Sequence, residues 1–154
     1  MNNKGLSSYY IQNKLKKINQ FKGVFPINHL NKSLLEKDEN IFLIINTDSC
    51  RGVGLHWFIL EKYKGKIYIF DSLGSILNNY KIIKRILKKN HNKSQIQDVT
   101  SSSCGEFCLL FINLRLIGFS YNEILSFFDK NVEYNEKILK KYKKNIFVKN
   151  ISLY

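Results

Sequence analysis

The chain has 154 residues, 44% of them hydrophobic and 14% aromatic, enough apolar material for one core, and this argues against wholesale disorder despite 24% charged residues. No apolar run approaches the roughly 20 residues of a membrane helix, and the N-terminal MNNKGLSSYYIQNK lacks the apolar stretch of a secretory signal. Lysine and arginine outnumber acids 25 to 12, a formal charge of +13 that fits either polyanion binding or a solvated lysine-rich surface.

In chain order, residues 8–20 predict a helix with Tyr10, Ile11, Leu15 and Ile18 on one side. FKGVFPINHL reads as an irregular segment or turn around Pro26, and Asn31 to Asn40 as a polar, exposed stretch. The continuous run IFLIINT (41–47) predicts a strand buried on both faces. LHWFILEKY (55–63) and KIYIFDS (66–72) predict a hairpin turning at Lys64-Gly65. Residues 76–89 predict an amphipathic helix whose outer face carries Lys81, Lys84, Arg85 and Lys88. Ser103 followed by Glu106 matches a capping box, so a buried central helix is expected from Cys104 to Ile117, stopped by Gly118. Helices over 121–128 and a lysine-rich helix or arm over 133–154 complete a single domain with its core at about 22–128. The expected class is α+β: a small, mostly antiparallel sheet packed with helices.

Three cysteines, Cys50, Cys104 and Cys108, are too few and too odd in number for a disulfide scaffold, which points to a reducing compartment. Cys104 stands where a helix begins, and the unpaired N–H groups and dipole there favour a thiolate. Gly105 beside it reads as room for a substrate backbone, and Cys108, one turn on, as an inert core thiol. Of the histidines, His29 and His91 lie in irregular or polar stretches, whereas His56 begins a strand and can neighbour Asp71 across the hairpin. A carboxylate there orients an imidazole, although Asp71 taken alone reads first as a turn cap. Gln97, seven residues before Cys104, is a candidate amide donor to an oxyanion. Trp57 and Phe70 read as packing residues.

The ordered set GVGLHWFIL, IFDSLG and QDVTSSSCGEFC resembles the adenovirus-type cysteine protease family (adenain), in the superfamily that also holds the SUMO-deconjugating (Ulp-like) proteases. GVFPINHL and IFLIINTDSCRGVGLHW also resemble its N-terminal segments, so the resemblance covers roughly residues 22–117. It implies His56 as general base, Asp71 as its orienter, Gln97 as oxyanion donor and Cys104 as nucleophile. Adenoviral members typically carry glutamate where Asp71 stands, and the shorter carboxylate suits the same role.

The implied substrates are viral structural precursors, cut at glycine-containing sites during particle maturation in the virion and in the host nucleus or cytoplasm. No metal, membrane or obligatory cofactor is expected, and the protease is expected to be a monomer. DNA is the implied activator, with Lys81, Lys84, Arg85, Lys88, Lys89 and the tail Lys137–Lys149 as contacts; a solvated lysine face has the same appearance. A disulfide-linked activating peptide fits poorly, because no cysteine lies between Cys50 and Cys104. Two alternatives stay open: a protease removing a ubiquitin-like modifier, whose relatives usually place an acid where Ser103 stands, and a non-enzymatic basic DNA-binding virion protein.

Overall fold

In the computed structural model, which describes residues 5–36, 40–49, 55–74 and 90–146, strands β1 (Phe21–Pro26), β2 (Ile41–Asn46), β3 (Trp57–Tyr63) and β4 (Lys66–Phe70) form one sheet in that order. The β1–β2 pair is parallel and the other two pairs are antiparallel. Helices α1 (Ser8–Leu15), α2 (Cys104–Leu116), α3 (Tyr121–Ser126) and α4 (Val132–Ile146) complete the α+β arrangement expected from the sequence. No described helix is long and apolar enough to cross a membrane.

Strand β2 is apolar without interruption because both faces of the sheet are covered. Phe42 and Ile44 point into one cluster with Trp57, Ile59 and Phe70, against Phe107 and Phe111 of α2. Ile41, Leu43 and Ile45 point the other way, with Phe58, Leu60 and Ile69, under Ile27, Leu30 and Leu35. Each such side chain contributes roughly 1.5–3 kcal/mol by leaving water. Phe70 stacks on Phe111 with ring centroids 4.5 Å apart, joining β4 to α2. At the β3–β4 turn, Lys64 and Gly65 both have positive φ (48° and 73°). That is the backbone of a two-residue primed turn, whose twist matches a hairpin.

Four expectations are corrected. FKGVFP is strand β1 rather than an irregular segment: it lies at the sheet edge, where Gly23 (φ 132°) sits at a register shift and Pro26 closes the strand. Gly and Pro are tolerated there because an edge strand needs only one row of hydrogen bonds. The first helix ends at Leu15, and Ile18 joins the core from the turn that follows. The 31–40 stretch is not wholly exposed, since Lys32–Leu35 is a short 3-10 turn that buries Leu35. Finally, Ser103 makes no side-chain cap; its hydroxyl donates to Glu136, and Glu106 is held by Lys143 Nζ at 2.6 Å. Both capping partners are engaged by α4. The capping box forms instead at Ser120 and Glu123, starting α3. The basic helix expected over 76–89 lies outside the described residues.

Candidate active site

The hairpin register, Ile59 opposite Phe70, carries the residue before β3 and the residue after β4 to the same end of the sheet. His56 and Asp71 meet there, with Nε2 and Oδ1 2.7 Å apart and both side chains buried. The same Oδ1 accepts the Leu73 N–H at 2.9 Å, so Asp71 is at once a turn cap and the imidazole's partner. Its backbone is clamped by Asn92, whose Oδ1 accepts the Asp71 N–H (2.8 Å) and whose Nδ2 donates to the Asp71 carbonyl (2.6 Å).

Burial alone would lower the His56 pKa, but hydrogen bonds to Asp71 and to Cys104, with the charges behind them, raise it to about 9. That direction favours the imidazolium at neutral pH. With Nε2 on Asp71, Nδ1 is the nitrogen left for Cys104. Cys104 is the first residue of α2, so its side chain stands at the N-terminal end of that helix. Cys108 is fully buried, and desolvation first, then neighbouring negative charge, pushes its thiol well up, in keeping with an inert core cysteine.

Gln97 reaches the same site in a fixed orientation. Its Oε1 accepts the Ser72 hydroxyl at 2.7 Å, and its Nε2 donates to the Ser101 carbonyl at 2.9 Å. The Ser72 carbonyl also accepts the N–H groups of Ile96 and Gln97, so the Asp71 turn and the Gln97 segment are tied together. Gly74 makes this joint possible. It has φ 71°, and a Cβ there would lie 2.5 Å from the Ser94 carbonyl oxygen. Gly74→Ala is expected to cost about 2–5 kcal/mol, ~1–3 from overlap and ~1–2 from the left-handed backbone. The urea midpoint reads this, and a midpoint equal to wild type would refute it.

His56, Gln97 and Cys104 open into a cavity of about 740 Å³ whose walls include Leu6, Leu55 and Val99. The space over Gly105 is filled by Leu6, since a Cβ on Gly105 would stand 3.0 Å from Leu6 Cβ. The Trp57 indole N–H donates to the Leu6 carbonyl at 3.0 Å. Gly105 thus admits the N-terminal segment rather than a substrate backbone, and Trp57 anchors that segment as well as packing. His29 is exposed at the end of a 3-10 turn, and His91 forms a bridge with Ile69 instead of lying in a solvated loop. Neither lines the cavity. No cluster of metal-ligating side chains occurs among the described residues.

Lys81, Lys84, Arg85, Lys88 and Lys89 lie outside the described residues. As far as Ile146 the C-terminal basic segment is helix α4 packed on the fold: Asn135 and Leu139 are buried and Lys143 pairs with Glu106. Asn92, Ser72 and Glu136 escape sequence reasoning because local pattern places them in a polar run, a strand end and a helix but does not show what they bond. Their partners lie 21 to 38 residues away in the chain.

The molecule is thus an α+β domain in which a cysteine at a helix N-terminus faces a histidine held by a buried aspartate. Over 113 residues the chain is 30% identical to the protease of ovine adenovirus D serotype 7 (isolate OAV287). That match covers 61% of this chain and 55% of the relative, so the chain spans little more than half the relative's length. The likeness to adenovirus-type proteases read from the motifs is thereby borne out. A crystal structure of an ASFV protease matches with a TM-score of 0.47 at 16% identity, over 81% of this chain and 63% of that one. No protein-family model matches the chain.

Proposed function

We propose that the chain is a cysteine endopeptidase of the adenovirus-protease kind, using Cys104, His56, Asp71 and Gln97 on viral precursor proteins at glycine-containing sites. The observation that carries this reading is the 2.7 Å His56–Asp71 contact beside Cys104 in one cleft. In this scheme the Cys104 thiolate attacks the scissile carbonyl. The oxyanion is held by the Cys104 N–H and a Gln97 amide hydrogen. The His56 Nδ1 proton passes to the leaving amine, which departs and leaves a thioester. Neutral His56 then takes a proton from water, and the resulting hydroxide attacks the thioester. The acid product leaves as Cys104 returns to thiolate and His56 to imidazolium.

Labelling with a small thiol electrophile at mildly acidic pH tests the pair without a known substrate. Rapid modification of Cys104 alone, slowed in His56→Ala, is the expected result; equal reaction at Cys104 in both proteins would overturn the pairing. Peptide libraries, with and without DNA, then test the glycine-site preference and DNA activation through the lysines at 81–89. Action as a monomer inside the virion or infected cell belongs to the same proposal.

Gln97→Ala is expected to lower kcat by about 10²–10³, since the substitution removes the donor and also frees Ser72 Oγ and the Ser101 carbonyl. A rate matching wild type in a peptide assay would remove Gln97 from the oxyanion site.

A further inference from the structure

Helix α4 carries more than lysines to the site. Glu136 Oε1 receives three donors from the loop that ends at Cys104: the Asp98 N–H (3.3 Å), Ser101 Oγ (2.7 Å) and Ser103 Oγ (2.8 Å). The two serine oxygens also lie 2.7 Å from each other. Two hydroxyl protons thus serve three short contacts, and any arrangement of them leaves at least one charge-assisted bond to the carboxylate.

The preceding residue of α4, Asn135, is completely buried. Its Nδ2 donates to the Ile96 carbonyl (3.0 Å) and the Asp129 carbonyl (2.8 Å), and its Oδ1 accepts the Asp129 N–H (2.9 Å). One turn of α4 therefore grips the chain just before Gln97 and again just before Cys104. Gln97 itself is bonded to Ser101, the residue that Glu136 holds. The Lys143–Glu106 pair ties the far end of α4 to the first turn of α2.

We propose, resting on the endopeptidase reading above, that Glu136 is a positioning residue. It touches no reacting atom, but it sets the 98–103 loop and through it both oxyanion donors, the Gln97 amide and the Cys104 N–H. A shift of about 1 Å in such donors is enough to cost on the order of 10²-fold in rate. Ser101 lines the cavity but Glu136 and Ser103 do not, so the loss from Glu136→Ala falls mainly on kcat.

The test compares Glu136→Ala, Glu136→Gln and the Ser101→Ala/Ser103→Ala double variant in the full chain. Glu136→Ala is expected to lower kcat roughly 10- to 100-fold with little change in KM, and the double variant, which leaves α4 intact, to lower it likewise. Glu136→Gln keeps an acceptor oxygen and is expected to restore most of the rate. Amide hydrogen exchange over residues 98–103 should quicken in Glu136→Ala and stay near wild type in Glu136→Gln. Unchanged exchange and an unchanged kcat in Glu136→Ala, or equal losses in the Ala and Gln variants, would overturn the proposal. A wild-type protein without peptidase activity would instead count against the endopeptidase reading, and the exchange measurement would still decide whether Glu136 holds the loop.

Discussion

Cys104→Ala is expected to reduce peptide hydrolysis by a factor on the order of 10⁴ or more, to background. No other thiol among the described residues can take its place. Cys108 is one turn deeper, buried, and held protonated by desolvation. The serines at 101 and 103 are engaged with Glu136 rather than with His56. The same variant should lose rapid labelling by a thiol electrophile. It should also unfold close to the wild-type midpoint, because losing one buried sulfur atom leaves only a small void. Activity and a urea titration on the same preparation check both halves. A folded Cys104→Ala protein keeping a tenth of the rate would place the nucleophile elsewhere.

Asp71→Asn is expected to lower kcat by about 10²–10⁴ and also to move the alkaline limb of the pH profile. Burial pulls the His56 pKa down, and the Asp71 hydrogen bond is the largest influence raising it to about 9. A group raised from 6.5 keeps its proton in the native state as pH rises, so activity requiring the imidazolium holds from neutrality and falls through about pH 9. The stabilisation linked to that proton is complete below about 6.5 and is lost between there and about 9. Without the Asp71 charge, burial acts with less opposition and the limb moves to lower pH. Asparagine keeps the side chain's shape, and the backbone clamp from Asn92 does not depend on the Asp71 side chain. A plot of kcat/KM against pH checks this; an alkaline limb unmoved by the substitution would belong to some other group.

Much of this site is legible from local chemistry. An apolar run too long for a half-exposed strand announces β2, Lys64-Gly65 announces the hairpin, and the hairpin brings His56 to Asp71. Cys104 before an apolar helical stretch announces the buried helix it begins. What stays hidden depends on partners distant in sequence. Ser103 and Glu106 satisfy a local capping pattern, yet Glu136 and Lys143 engage them instead, because α4 packs where that box would have closed. Asn92 sits in a run that reads as solvent-facing, yet it is buried, with its side-chain amide bonded to both the N–H and the carbonyl of Asp71. Strand β1 contains the residues that usually break strands, and only its place at an edge makes them permissible.

That edge has a bearing on self-association. An open strand offers a neighbouring molecule a row of unpaired amides and carbonyls on which to add. Along β1 the row is interrupted: the backbone departs from register at Gly23, Gln12 Oε1 of α1 takes the Val24 N–H at 3.2 Å, and Pro26 has no N–H to give. A concentrated solution would press such edges together. Here an incoming strand would meet a kink, an occupied donor and a missing one within four residues, a local defence against fibre-like stacking that owes nothing to the protein's net charge.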